Sequence, residues 1–299
     1  MNNPKVLVLM AAYNGEKYIE KQLDSIFAQK GVDVEVLVRD DGSSDRTVEI
    51  IRAYEEKHAL KWFSDKHLNV NKGFFELMRH AKDYDADFFA FADQDDVWDE
   101  DKLAIGANAI KGLAVPALYY CGQRLVDEDL NFIEDHVLNK ERSLKTRFVL
   151  SDFAGCTGVF NRALLEEVIK YEPEYMLSHD TWILRVCLGI GGEVVVDSCS
   201  HMDYRQHGGN SIGLRHNLMG NLRQVRQYLY VYKVQEVTQE LVKGYGERLV
   251  APYKDLAEWI CGYQTNKSYR DKLLDKANVD FCNRGLNLTY RLKILLKRL

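Results

Sequence analysis

The first hundred residues alternate between two periodicities, and few architectures accommodate both. Runs of strand length, the wholly apolar Val6 to Met10 and Phe88 to Ala92 and the mainly apolar Val34 to Val38, are separated by longer stretches in which apolar residues return at helical spacing. Ile19, Leu23, Ile26 and Phe27 form one such stretch, and Val48, Ile51 and Tyr54 a second. A strand that is apolar along its whole length is buried on both faces, and a helix between two such strands acts as a crossover. The pattern predicts an α/β fold with a Rossmann-like, mostly parallel central sheet. Gly31 closes the first helix, Asp45-Arg46-Thr47 opens the second, Lys61 to Phe63 reads as a short third strand, and a helix around Phe74 to Lys82 leads into the run at Phe88. Beyond residue 100 come a helix, a strand at Ala117 to Cys121, a helix from Asn161 to Lys170 and a strand at Glu193 to Val196. From about Leu214 the strand signal stops and helical spacing dominates. The expected division is an α/β domain over 1–213, in halves of about 1–100 and 101–213, followed by a helical region over 214–299.

Several function classes are excluded early. A formal net charge of −5 gives no field that would attract a nucleic acid. The six cysteines are scattered without a C-x-x-C pair, which fits reduced thiols. The apolar run ending at Met10 is too short for a signal peptide, and no stretch approaches the roughly 20 apolar residues that span a bilayer, so a cytoplasmic location is expected. No G-x-G-x-x-G follows the first strand and no G-x-x-x-x-G-K-[ST] occurs, which removes the main support for dehydrogenase and P-loop readings.

In open α/β sheets ligands bind beyond the carboxyl ends of the strands, so Ala12-Tyr13-Asn14, Asp40-Asp41 and Asp93 to Asp96 are expected to converge. Three carboxylates at the mouth of a buried strand, Asp93, Asp95 and Asp96, repel one another unless a cation or a donor compensates. A divalent ion shared with a diphosphate would do so; a solvated acidic turn ahead of a helix near Asp99 is the plainer alternative. Asp40 to Asp45 reads either as a turn and helix cap or as a carboxylate that accepts hydrogen bonds from a base or ribose.

Six segments, in this order, resemble the inverting GT-A glycosyltransferases of family 2, and within them the bacterial rhamnosyltransferase-like group: Met10-Ala-Ala-Tyr-Asn-Gly15, Asp40-Asp-Gly-Ser-Ser-Asp45, Phe91-Ala-Asp-Gln-Asp-Asp-Val-Trp98, Gly155-Cys-Thr-Gly158, His179-Asp-Thr-Trp182 and Tyr204-Arg-Gln-His-Gly-Gly-Asn210. The resemblance covers roughly residues 5 to 212 and implies a GT-A fold. It implies that Ala11, Ala12, Tyr13, Asn14 and Asp41 hold the nucleotide with Asp40 beside them, and that Asp93, Gln94 and Arg205 contact the nucleotide-sugar. Asp95 and His207 would bind a divalent metal, Mg²⁺ or Mn²⁺, and Asp180 would be the catalytic base. Gly155, Cys156, Thr157, His179 and Trp182 would border the acceptor. The implied reaction moves L-rhamnose from dTDP-L-rhamnose to a hydroxyl of a surface polysaccharide or lipid-linked oligosaccharide. A UDP-hexose donor and a non-catalytic scaffold that binds a sugar nucleotide are the alternatives. A nucleotidyltransferase would need a glycine-rich basic loop near the first strand, for which Asn14-Gly15-Glu16 is a poor substitute.

The same residues have plainer readings. Asp180 suits the N-terminus of a helix, His207 a surface loop, Gly155 to Gly158 a tight turn, and Cys156, Trp98 and Trp182 core packing. The segment Arg284 to Leu299 has five basic residues and no acidic one, with Leu288, Leu292, Leu295, Leu296 and Leu299 at helical spacing and Arg284, Arg291 and Arg298 seven apart. Such a helix either lies peripherally on the inner face of the plasma membrane or docks its leucines on the protein's own helices or a second copy. Tyr228, Tyr230 and Tyr232 belong to a region that could serve a homodimer contact.

Overall fold

The computed structural model describes residues 3–207 and 232–299. Strands β1 (Lys5–Ala12), β2 (Asp33–Asp40), β3 (Leu60–Ser64) and β4 (Phe88–Ala92) pair in parallel in the order β3-β2-β1-β4. Met10 of β1 stands opposite both Val38 of β2 and Ala92 of β4, so three strands end at nearly the same level. Alternate residues serve opposite faces. Val6, Val8, Met10, Val36, Val38 and Ala90 join the apolar face of α1 (Ile19–Phe27) and Ile51 of α2 (Thr47–Glu55) in one core. On the other face Phe91 meets Phe74 of α3 (Val70–Ala81) edge to face at 5.3 Å. Asn69 starts α3 by accepting the Lys72 N–H at 3.0 Å.

The second half of the sheet is mixed. It contains β5 (Val97–Trp98), β6 (Ala117–Val126), β7 (Phe132–His136), β8 (Gly158–Asn161) and β9 (Glu193–Arg205), and the order continues β4-β8-β6-β9-β5 with β7 paired to β6. β8 runs antiparallel to β4 and β6, whereas β6 and β9 are parallel. The strands expected to end at Cys121 and Val196 run on to Val126 and Arg205. Asn161, expected as the first residue of a helix running to Lys170, ends β8 and caps that helix, α6 (Arg162–Val168): its Oδ1 accepts the Leu164 N–H and the Ala117 N–H, each at 3.0 Å.

The chain groups into two compact units. The first comprises 1–138, 153–170 and 193–207 and holds the sheet; the second comprises 139–152, 171–192 and 208–299. The expected boundary at 213–214 lies outside the described residues. The described part of the second unit contains α5 (Leu144–Val149), α7 (His179–Gly189), α8 (Val234–Tyr245), α9 (Tyr253–Gly262), α10 (Lys267–Leu274) and α11 (Arg284–Leu295). Buried Arg185 of α7 donates to Thr238 Oγ1 of α8 at 2.9 Å and to the Val149 carbonyl of α5 at 2.8 Å, joining segments far apart in sequence. The six cysteines are free thiols, and among the described residues no helix is long and apolar enough to cross a membrane.

Helix α4 (Lys102–Ile110) packs on β8 and β6 through Gly106, where a Cβ would come 2.9 Å from Val159 Cβ and 3.0 Å from Tyr119 Cδ1. Alanine gains about 1 kcal/mol over glycine in a helix, but overpacking a rigid core costs about 1–3 kcal/mol. Gly106→Ala is therefore expected to lower the thermal midpoint followed by circular dichroism. An unchanged or raised midpoint would show that this helix does not sit as close to the sheet as described.

Candidate functional site

Three loops leave the carboxyl ends of β1, β2 and β4 and are tied together by side chains. Gln94 Oε1 accepts the Tyr13 N–H at 2.9 Å while its Nε2 donates to the Tyr13 carbonyl at 3.0 Å. Asn14 adopts the left-handed region at φ 46°, which asparagine tolerates better than most residues. Its N–H donates to Ser43 Oγ at 2.9 Å and its Oδ1 accepts the Ser44 N–H at 2.8 Å. The Gly15 N–H donates to Thr47 Oγ1 at 2.7 Å. The expected convergence of the segments at 12–14, 40–41 and 93–96 is found.

The two neighbouring aspartates part company. Asp40 is buried, and its carboxylate accepts the Gly42 and Ser43 N–H groups and the Ser64 hydroxyl, shaping a turn in which Gly42 has φ 84°. Asp41 remains partly exposed: it accepts the Leu68 N–H at 2.9 Å, pairs with Arg39, and lies 2.8 Å from His67 Nδ1. Buried Arg39 also donates to Glu76 at 2.5 Å and to the Lys66 carbonyl at 2.9 Å, which anchors this loop from beneath. The exposed Tyr13 ring lies 5.0 Å from the imidazole of His67, which itself borders the Asp41 carboxylate. Sequence reasoning missed His67 and Arg39. A polar turn has no period to betray His67, while a cation between the apolar run Val36 to Val38 and two aspartates was the available signal for Arg39.

Beyond β4, Asp95 Oδ2 lies 2.6 Å from His207 Nε2, and both side chains are largely covered. Arg205 donates from Nε to the Asp95 carbonyl at 2.7 Å and from Nη1 to the Glu128 carbonyl at 2.5 Å, so its guanidinium braces backbone. Its charge also lies 4.8 Å from the centroid of Tyr18, whose ring is 4.8 Å from that of His207. Asp96 is fully buried and accepts the Arg205 N–H at 3.3 Å. Burial first, then the charges of Asp95 and Asp93, push its carboxyl well above the usual carboxylate range. Donor atoms of Asp93, Asp96 and Cys156 lie within 4.8 Å of one another. Burial and the same acids push the Cys156 thiol up, however, and a protonated thiol is a poor ligand for a hard cation.

The segment Gly155–Thr157 forms a single 3₁₀ turn inside the first unit. All three residues are buried, the Thr157 hydroxyl donates to the Ala154 carbonyl at 2.7 Å, and Gln123 Nε2 lies 3.7 Å from Cys156 Sγ. In the second unit, Ser178 caps α7 and Asp180 occupies its first turn, accepting the Thr181 N–H at 2.5 Å and the Ser178 hydroxyl. That is the geometry of a carboxylate favoured at a helix N-terminus. His179 is buried, which lowers its imidazole pKa. Trp182 is 0% exposed, with ring centroids of Tyr171 and Tyr245 each 6.2 Å away, which is a packing arrangement rather than an open platform.

Residues 7–169, more than half of the chain, match the model of glycosyl transferase family 2. The chain belongs to this family. Among curated proteins it is similar to the dTDP-rhamnosyl transferase RfbG of Shigella flexneri, 28% identical over 68% of this chain and 73% of the relative. It is also similar to the GalNAc(5)-diNAcBac-PP-undecaprenol beta-1,3-glucosyltransferase of Campylobacter jejuni, 26% identical over 60% of this chain and 59% of the relative. Two solved structures share the fold of this family-2 glycosyltransferase. S. aureus TarS with UDP-GlcNAc has a TM-score of 0.60 and 18% identity, with 99% of this chain and 82% of TarS covered. The mannosyltransferase PcManGT of Pyrobaculum calidifontis with GDP-Man and Mn²⁺ has a TM-score of 0.61 and 17% identity, with 100% and 88% covered.

Directly after the acidic loop, the ammonium of buried Lys102 sits 3.6 Å from the ring centroid of Trp98. Burial lowers its pKa to about 8. Because the folded pKa is below that of the unfolded chain, the unfolded state binds more protons between the two values and stability rises with pH across that window. Lys102→Met is therefore expected to be more stable than the wild type at pH 7, with the advantage shrinking from about pH 8 to about pH 10.5. A stability difference that stays constant over that range would contradict the burial of a charged lysine under Trp98.

Proposed function

We propose that this chain transfers L-rhamnose from dTDP-L-rhamnose, with inversion, to a hydroxyl of a bacterial surface polysaccharide or lipid-linked oligosaccharide, working on the cytoplasmic side. The observation that carries the nucleotide-sugar reading is the knot of loops beyond β1, β2 and β4, with Asp41 bordered by His67, His67 by Tyr13, and Asp95 paired to His207. The donor sugar rests on likeness to a dTDP-rhamnosyl transferase. A UDP-hexose is the second reading, favoured by a solved relative that holds UDP-GlcNAc.

In this reading the exposed Tyr13 ring lies against the base, and Asp41 accepts hydrogen bonds from base or ribose. Asp93 and Gln94 border the sugar diphosphate by following β4 directly, whereas Arg205, expected there as well, is buried and holds the Asp95 backbone in place through the Asp95 carbonyl. The Asp95 carboxylate and the His207 imidazole form an oxygen and nitrogen donor pair, which suits a divalent cation, Mg²⁺ or Mn²⁺. When bound, such a cation supplies positive charge against the diphosphate leaving group. Asp180 is assigned the base: the acceptor oxygen bonds to C1 as the C1–oxygen bond to the diphosphate breaks on the opposite face, and the hydroxyl proton passes to the Asp180 carboxylate. Residues 155–157, 179 and 182, whose side chains are buried, are assigned to supporting the acceptor side.

The test is calorimetric binding and product formation with a panel of dTDP- and UDP-sugars and Mg²⁺ or Mn²⁺, comparing the wild type with Asp95→Ala and Asp180→Asn. The expected result is metal-dependent binding of dTDP-L-rhamnose that Asp95→Ala loses. Asp180→Asn should retain binding while turnover falls about 10²- to 10⁴-fold. Binding of a UDP-hexose alone would move the donor to the second reading. Binding of a sugar nucleotide without turnover in the wild type would leave the non-catalytic scaffold, and absence of binding to every sugar nucleotide would overturn the nucleotide-sugar reading altogether.

A further inference from the structure

Among the described residues, four leucines of the last helix's stripe, Leu288, Leu292, Leu295 and Leu296, are left uncovered, whereas Leu299 is buried. α11 turns Thr289, Tyr290, Lys293 and Ile294 inward, with Tyr290 edge-on to Phe281 at 5.2 Å and Lys293 Nζ donating to the Tyr232 carbonyl at 2.6 Å. On the outer side Leu288, Leu292, Leu295 and Leu296 are 44 to 63% exposed. At about 100° per residue these four fall on one arc, and Arg284 and Arg291 run along its edge. Lys297 and Arg298, both exposed, follow immediately, and no acidic residue occurs from Arg284 to Leu299.

We propose that this face of α11 lies on a bilayer rich in anionic headgroups. The leucines enter the acyl boundary while Arg284, Arg291, Lys297 and Arg298 meet lipid phosphates. Charge decides the occupant. A second copy packed through the same stripe would bring two arginine edges together with no carboxylate in the segment to pair them, whereas an anionic surface satisfies both the apolar arc and its cationic border. Length decides the orientation: the 12 residues of α11 span about 18 Å, short of the roughly 30 Å hydrocarbon core, so the helix lies in the interface plane. The surface does not depend on which sugar the enzyme carries.

The test uses the full chain in co-sedimentation with phosphatidylcholine vesicles and with vesicles of phosphatidylcholine and phosphatidylglycerol. The variants are Leu288→Gln/Leu295→Gln and Arg291→Glu/Arg298→Glu. All four positions are exposed, so unchanged circular dichroism is expected and is checked first. Wild type should favour the anionic vesicles and be released by salt. The leucine variant should lose at least tenfold in partitioning, and the arginine variant at least about 25-fold, since each of the two cations lost contributes about fivefold and the two carboxylates introduced add repulsion from the anionic surface. Equal partitioning of wild type and leucine variant, or no wild-type binding to anionic vesicles at low salt, would overturn the proposal. So would a dimer in sedimentation equilibrium that the leucine variant abolishes, without vesicle binding, because a second copy would then cover the stripe.

Discussion

A primary amide carries one donor end and one acceptor end, so it can clamp a peptide unit of a neighbouring loop, and Gln94 does this to Tyr13. Each such hydrogen bond adds only about 0.5–1.5 kcal/mol net, so its importance is geometric. The clamp fixes the loop after the central strand β1 to the loop after β4. Gly15 makes room for it, since a Cβ there would come 2.2 Å from Gln94 Oε1. With Tyr13 held, Asn14 is presented in its left-handed conformation to Ser43 and Ser44, which binds the β2 loop into the same knot. The shared end level of β1, β2 and β4 makes these short contacts possible, and the parallel register sets that level.

The second constraint is electrostatic. Five aspartates stand at the ends of two strands, and an undivided cluster would repel itself. The structure separates their tasks. Asp40 is occupied by its own turn, Asp41 by a buried arginine below and a histidine beside it, and Asp95 by His207. Asp96 is driven towards its protonated form by burial and by Asp95 and Asp93. Arg205 contributes through its backbone N–H and through bonds to two carbonyls, so it stiffens the acidic loop from behind.

The parallel half of the fold was legible because Val6 to Met10 and Phe88 to Ala92 are buried on both faces and uniformly apolar, and Val34 to Val38 is broken only by Glu35 before the buried Val36 to Val38. The mixed half was less so. β8 has four residues, opens on a glycine and closes on Asn161, whose side chain is at once a helix cap and a ladder partner, so turn and helix signals masked the strand. β7 was missed because Phe132 and Ile133 are both exposed, leaving no inward and outward alternation to detect. The DDGSS segment carried the signal of a turn as well as of a ligand site, and the structure uses it for both: Asp40 for the turn, Asp41 with its neighbours for the exposed edge. His67 enters from a polar loop, and the grouping of α5 and α7 with the C-terminal helices joins segments far apart in the chain, so neither leaves a mark in local pattern.

If one knot of loops holds the nucleotide, the three loops must respond to it together. Hydrogen exchange with and without dTDP, read in peptides covering residues 11–16, 41–45 and 93–97, examines this directly. Exchange should slow in all three segments on adding the nucleotide, and Gln94→Ala should weaken that common response. Protection confined to another part of the chain, or in one of the three loops without the others, would contradict a nucleotide site built on the carboxyl ends of β1, β2 and β4.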